Sequence, residues 1–536
     1  MFIAGVLGSF VLYLVIGVVV GRRVKDRSDY YVAGRNAPTL LVAGTLVASF
    51  LSTVSFMGEV GFAYDGFPVV MLIVTVLNIC GYVVGVLGFG RYLRRSEALT
   101  VPEYFGRRFD SRAVQSAAGV MVVLGIGLYL VAVTQGLALV LAQLLGWETW
   151  TAVVVVWLAY TAFTFLSGSK GILVNDTIMF FVFMVAGVVG MSWVVVRAGG
   201  PAAALDKLQA LPGKPDGLSW HGVTGEAASL GSPGQVLVWA IATGLAWMAV
   251  VAVSPWQSSR YLMARDEHVS LRSAFIAMGT VGVLYVFLMF GAYTINLFNP
   301  DIEPSEVAFI WAAQHVLPPV LGVVVVTGIV AAGLSSASAF LALIGFSAAY
   351  DVRPRRPDGA DDGGESEERA LRRSRQVMLA TALVVLLITL VTPPAVLEIG
   401  YFAATLFAAA WGPLAFWSVR SAELSARGAL AGMIAGFLGV TAASLLTDVA
   451  GVRLPVWADP VFLGVLLSVA ATWLADRGAH PTPEARAFRA RLLTTPATDR
   501  DPRKLAATRR TATTTTAAFA AAGLALLVYY GIPALF

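Results

Sequence analysis

Long uninterrupted apolar runs decide what this chain can fold into. A helix needs about 20 apolar residues to cross a hydrocarbon core of roughly 30 Å. Runs of that kind lie at about 1–21, 38–64, 67–90, 114–146, 150–167, 173–196, 233–256, 273–297, 318–350, 377–393, 395–418, 426–447, 456–475 and 513–534. About fourteen such runs predict an all-α polytopic membrane protein, since lipid offers no partner for an unpaired backbone group. Composition agrees: 58% of residues are hydrophobic and 13% charged, against roughly 25% charged in a soluble domain. The net charge of +5 does not point to nucleic acid, because the basic residues sit in short loops between apolar runs and not on a basic tail or face.

Lysine and arginine placement tests the count. With the N-terminus outside, the inward loops receive Arg22, Arg23, Lys25, Arg27, Arg35, the Arg91–Arg112 group, Lys170, Arg260, Arg265, Arg272, Arg353 to Arg375, Arg420, Arg427 and Arg477 to Arg510. The outward loops keep only Arg197, Lys207, Lys214 and Arg453 of the 37 basic residues. That asymmetry is the positive-inside rule, and it predicts an integral plasma (inner) membrane protein with both termini outside. The first run has no basic region before it and no small-residue cleavage site, so it reads as a retained helix. Residues 198–232 (outside) and 351–376 (inside) read as long loops, and 476–512 as a connector too short for an output domain. Cys80 lies in an apolar run and reads as a small buried hydrophobe.

Three spans break the apolar rule, and polar clusters in a membrane helix mark cavities or ion paths. The second carries Thr45, Ser49, Ser52, Thr53, Ser55, Gly58, Glu59 and Gly61. Hydroxyls alone fit a plain helix–helix contact; the functional reading, which the cluster favours, is an unwound helix whose freed carbonyls coordinate a cation. The ninth carries Gly328, Gly333, Ser335, Ser336 and Ser338 among alanines. Small residues permit close helix packing, and three serines add the hard oxygen ligands that an alkali cation needs. The sixth opens on Asn175-Asp176-Thr177, where the carboxylate reads either as a helix cap or as an ion ligand. Weaker signals are Asn78, Thr134 and Gln135, the pair Trp247 and Trp256 flanking Pro255, and Glu59, which faces an outer vestibule on this reading.

An enzyme is not indicated. His221, His268, His315 and His480 have no metal-ligand spacing, and no phosphate-cradling glycine motif precedes a lysine and hydroxyl. No organic cofactor is expected.

Several segments, in order, resemble the sodium:solute symporter family over about Asp29 to Ala475. They are Asp29-Tyr30-Tyr31-Val32-Ala33-Gly34-Arg35, Thr100-Val101-Pro102-Glu103-Tyr104-Phe105 with Arg107-Arg108-Phe109, and Pro255 with Arg260-Tyr261-Leu262, Ala264 and Asp266. The resemblance implies a leucine-transporter-type five-plus-five inverted repeat. It places an extra helix and inner loop at 1–37, the transport core at 38–418 and accessory helices at 419–536. It implies sodium as the coupling ion, held by carbonyls of Ala48, Leu51 and Ala332 and hydroxyls of Ser335 and Ser336. Asp176 and Ser338 match the pattern of a second sodium site, with Ser335 shared, but Ala339 stands where those members place a further serine.

The Pro255 to Arg260 spacing is closer to the proline, pantothenate and acetate branches than to the sugar branch, which points to a monocarboxylate or an amino acid such as proline. Ser52, Ser55, Gln135 and Trp256 are the expected solute contacts, with no buried arginine expected to pair with a carboxylate. Glu59 and Asp176 keep a proton-coupled or sugar-type carrier open as an alternative, and a solute sensor without transport as another. The neutral pair Ser335–Ser336 favours sodium, because hydroxyls do not exchange protons near neutral pH.

Overall fold

The structure, a computed structural model, describes residues 1–21, 27–214, 216–225, 231–352, 367–393, 395–452, 454–455, 458–526 and 528. Among these, nine helices are each long and apolar enough to cross a membrane, and a tenth span consists of two bent pieces. Helix α1 (Phe2–Gly21) precedes a first group: α2 (Thr39–Phe50) with α3 (Val54–Tyr64), α4 (Pro68–Ser96), α5 (Arg112–Leu145), α6 (Thr149–Phe165) and α7 (Gly168–Arg197). A second group repeats the order: α8 (Pro233–Val253) with α9 (Pro255–Met263), α10 (Glu267–Leu297), α11 (Pro319–Asp351), α12 (Arg372–Val391) and α13 (Val396–Arg420). Four more follow: α14 (Ala426–Asp448), α15 (Pro460–Asp476), α16 (Pro483–Leu493) and α17 (Pro502–Leu526).

Each group opens with an interrupted helix. Between α2 and α3 the axis bends by 61°, with Leu51 in extended backbone (φ −74°, ψ 122°). Between α8 and α9 the break falls at Ser254 (φ −54°, ψ 145°). Pro255 causes it: proline has no N–H to continue the ladder and drives the preceding residue out of the helical region.

Burial separates central helices from lipid-facing ones. In its most apolar stretch α11 is 72% buried, whereas α12 is 28% buried. Leu7, Val11, Val384, Leu387 and Leu466 are exposed, as suits side chains that face acyl chains.

Several boundaries differ from the sequence reading. The runs 150–167 and 173–196 meet without a loop, at a kink where Gly168 takes φ 57°, a backbone region that costs glycine little. Lys170 therefore lies within α7 and pairs with Asp29 at 2.5 Å. The outer loop 198–232 contains a helix, Pro201–Gln209, and another short helix, Ala308–His315, precedes α11. The connector 476–512 forms α16 and the first turns of α17, which starts at Pro502 and not at 513. Cys80 is partly exposed. Most of the inner loop 351–376, like Arg22, Arg23, Lys25 and Arg453, lies outside the described residues.

Thr100 N-caps the short helix Val101–Phe109. Thr100 Oγ1 accepts from Glu103 N–H at 3.1 Å, and Glu103 Oε2 accepts from Leu99 N–H at 2.7 Å. The inner ends of both groups are tied down through buried Arg108, whose guanidinium caps the end of α13 at the carbonyls of Ser418 (2.5 Å) and Ser421 (2.8 Å).

Candidate functional site

The break in the second span frees backbone carbonyls, and α11 runs past them. Ser335 Oγ lies 3.2 Å from the Ala48 carbonyl, and Ser336 Oγ donates to the Leu51 carbonyl at 3.2 Å. Close approach is possible because Gly333 has no side chain: a Cβ there would stand 2.4 Å from Leu137 Cδ2 and 2.8 Å from Thr53 Cγ2. Ala48, Leu51, Ala332, Ser335 and Ser336 are all fully buried. Four of the five expected oxygens thus converge in two carbonyl–hydroxyl pairs across one helix contact. Ala332 lies one turn before Ser336 on the same helix.

Asp176 stands beside this cluster. It is not a helix cap: α7 begins at Gly168, and the carboxylate is fully buried within the span. Oδ1 accepts from Ser335 Oγ at 2.7 Å and Oδ2 from Thr45 Oγ1 at 2.5 Å. Arg260 of α9 places Nη2 3.9 Å from Oδ2, and is itself 2% exposed. The expectation that no buried arginine reaches the centre is therefore corrected. Arg260 reads as an inner-loop charge because it follows Pro255, but that proline starts a new half-helix that carries it back inside. Arg260 Nε has no partner among the described residues. Ser338 Oγ, by contrast, donates to its own helix at the Ser335 carbonyl, 3.0 Å away.

The two breaks touch. Ser49 Oγ donates to the Trp256 carbonyl at 3.4 Å, and Gln257 Nε2 donates to Ser49 Oγ at 3.5 Å. Trp256 is buried edge-on against Tyr129 (5.3 Å between centroids), Phe340 (5.7 Å) and Phe407 (5.8 Å). Around the breaks Thr53 Oγ1, Ser254 Oγ and Gln257 Oε1 are buried with no hydrogen-bond partner among the described residues. Buried polar groups normally find partners, so this concentration marks a place built for a polar guest.

Of the expected solute contacts, Ser52 Oγ accepts from Val54 N–H at 3.1 Å, and Ser55 Oγ lies 3.2 Å from Tyr285 OH. Gln135 is otherwise engaged. Its amide donates to the carbonyls of Thr392 and Pro393 (3.2 and 3.1 Å) and accepts from Ala395 N–H (3.2 Å), bracing the link between α12 and α13. Tyr285 is a participant that the sequence reading missed, since nothing marks one tyrosine in α10. Its hydroxyl donates to Glu59, which lines an outer cavity of about 820 Å³. Trp247 lines that same cavity, so the two tryptophans flanking Pro255 serve different places.

The comparisons with known proteins bear on the family and the fold. Residues 30–436 match the family model described as the sodium:solute symporter family. A sodium/proline symporter of Haemophilus influenzae is 26% identical over 465 residues, covering 81% of this chain and 87% of that protein. A sodium/pantothenate symporter of Escherichia coli is 26% identical over 478 residues, covering 85% and 92%. The solved structure of a Na+-coupled sialic acid symporter in a substrate-bound, outward-open state superposes with a TM-score of 0.73 at 17% identity, covering 90% of this chain and 99% of that one. The fold is accordingly all-α with the leucine-transporter-type inverted repeat. The chain belongs to the sodium:solute symporter family, and it is a multi-pass membrane symporter that couples a small solute to sodium and not an enzyme.

Proposed function

We propose that one sodium ion binds between the broken second span and α11, at the carbonyls of Ala48, Leu51 and Ala332 and the hydroxyls of Ser335 and Ser336. The observation that carries this reading is the pair of hydroxyl–carbonyl contacts across the break. Both hydroxyls turn their lone pairs to an entering cation by rotation about one bond, and the carbonyls need no rearrangement. Asp176 is then the partner that orients Ser335 and balances Arg260. A second sodium at Asp176 and Ser338 is not favoured, because the carboxylate already faces a guanidinium and Ser338 bonds its own helix.

The solute binds beside the two breaks, near Ser52, Ser55 and Trp256, with Gln135 supporting the wall from behind. Residues 38–418 form the transport core, in a plasma membrane with both termini outside. Sodium entering from outside stabilises the outward-open state, the solute binds, and the loaded core rocks inward. The coupling is reciprocal: each ligand raises the affinity of the other by the same factor. Family relatives that carry proline and pantothenate support a carboxylate-bearing solute or amino acid.

The test is solute uptake into proteoliposomes under sodium, potassium or pH gradients. Uptake should follow sodium alone, and Ser336→Ala should raise the sodium needed for half-maximal rate. Uptake driven equally by a pH gradient would replace sodium with protons.

A further inference from the structure

Arg477 closes α15 at the edge of the membrane, over a recess in the protein surface. Helix α15 has 17 residues, a rise of about 25 Å, close to the roughly 30 Å of a hydrocarbon core. Its two ends therefore stand at the two borders, and Arg477, directly after it, stands at headgroup level. The recess has a volume of about 320 Å³ and lies between the end of α13, its link to α14 and the end of α15. Trp417, Ser421, Trp473, Asp476 and Arg477 are among its lining residues.

The charges around this recess are unequal. Asp476, the one carboxylate among its described lining residues, is already engaged at the start of α14. Its Oδ1 accepts from Ser425 N–H at 2.8 Å and from Ser425 Oγ at 2.5 Å. Glu423, on the same link, pairs with Arg486 at 2.9 Å. The Arg477 guanidinium lies over the Trp473 ring, 3.6 Å from its centroid. Stacking uses the face of a guanidinium and leaves its in-plane N–H donors for a second partner. Arg420, at the end of α13, and Arg427, in the first turn of α14, add two exposed cations at the same border. Trp473 is 60% exposed, and Leu466, Leu467 and Leu474 of α15 are exposed with it. The recess thus joins an acyl-facing wall to a cationic rim, with an indole at the level where chains meet headgroups.

We propose that this recess holds the headgroup of an anionic phospholipid of the inner leaflet. The phosphate accepts from the edge of Arg477, Arg420 and Arg427 supply the surrounding positive field, and the acyl chains run along the exposed leucines of α15. A phosphodiester suits a guanidinium because planar paired donors match paired oxygens. Three guanidiniums favour a lipid of net negative charge over a zwitterionic one, whose ammonium group they repel. The recess lies where α13 gives way to α14 and α15, so a bound lipid braces that junction. The leaflet, though not the headgroup class, rests on the orientation proposed above.

Full-length protein in non-ionic detergent, at constant sodium, is titrated with phosphatidylglycerol or phosphatidylcholine by thermal shift and native mass spectrometry. Phosphatidylglycerol should bind more tightly and raise the thermal midpoint more. Arg477→Gln should weaken its binding about tenfold, as loss of a close charge-assisted partner does. Trp473→Leu should weaken it about threefold, through loss of the stack. Arg197→Gln, the same charge change at the far end of α7, should leave it unchanged. Both arginines are exposed, so the lipid-free midpoints of these variants should match the wild type. Equal binding of the two lipids overturns the proposal. Equal losses in Arg477→Gln and Arg197→Gln overturn it as well, reducing the effect to diffuse charge. Inorganic phosphate that stabilises the protein as phosphatidylglycerol does, and competes with it, also overturns it, making the recess a free-anion site. Sidedness is read separately: His480→Cys in a Cys80→Ala background, on intact cells, should resist a membrane-impermeant thiol reagent. Labelling from outside overturns the leaflet and sinks the proposed orientation, while the detergent titration still decides the headgroup site.

Discussion

Arg260 Nη2 lies 3.9 Å from Asp176 Oδ2, and neither side chain is more than 3% exposed. One group comes from the fifth span of the first repeat and the other from the first span of the second, so the pair locks the two halves beside the candidate ion site. Removing one partner of a buried pair leaves an uncompensated charge, a loss of about 3–5 kcal/mol. Arg260→Gln and Asp176→Asn should each lower the thermal midpoint, and the double variant should recover part of the loss. Additive losses in that double-mutant cycle would show that the two do not interact.

Close approach at Gly333 gives a second prediction. A methyl group there meets Leu137 and Thr53 at distances no real Cβ adopts, and overpacking of this kind costs about 1–3 kcal/mol. Gly333→Ala should weaken sodium binding as well as stability, because relief requires α11 to move off the break. Pairing it with Leu137→Ala should recover stability more fully than sodium affinity, read by thermal shift across a sodium titration.

The inner face carries a strap. Arg95 donates from Nε to Glu267 (2.5 Å), from Nη1 to the Leu492 carbonyl (2.8 Å) and from Nη2 to Thr495 Oγ1 (3.0 Å), joining α4, α10 and the end of α16. A lysine cannot reproduce a planar three-way fork. Arg95→Lys should therefore speed hydrogen exchange over 483–499, while sodium affinity stays near that of the wild type.

Lys504 adds a partly buried clasp, 2.9 Å from Asp266. Burial alone would raise the Asp266 carboxyl, but Lys504 and the Val269 N–H hold it below its ordinary value. The Lys504 ammonium is raised by the same partner. A depressed carboxyl contributes stability above its unfolded value, about 3.9, and loses it as pH falls through the folded value; a raised ammonium loses its contribution as pH rises past about 10.4. The clasp should hold between those limits and contribute at most about 1 kcal/mol. Limited proteolysis near 495–501 should be slow at pH 7 and faster below pH 4, and the difference should shrink in Lys504→Ala.

Much of this molecule was legible in the sequence, for a physical reason. Apolar runs long enough to cross a bilayer have no other stable use, so their number and order define an all-α membrane fold before any coordinates. The hydroxyls and glycines of the second and ninth spans were equally visible, because polar groups in lipid stand out against a uniform background. Three-dimensional packing decided what those groups meet. Pro255 announced a break, but only the fold turns the half-helix after it inward, making Arg260 the partner of Asp176 and not an inner-loop charge. Gln135 looked like a solute contact because it is polar and central; its partners lie at 392–395, a separation no local pattern encodes. Tyr285 is one tyrosine among many until α10 packs against the broken span. Sequence periodicity and composition determined the solvent, the fold class and the polar inventory. Contacts between residues far apart in the chain decided which polar groups form a site, because hydrogen-bond partners depend on distances of a few ångströms that only packing sets.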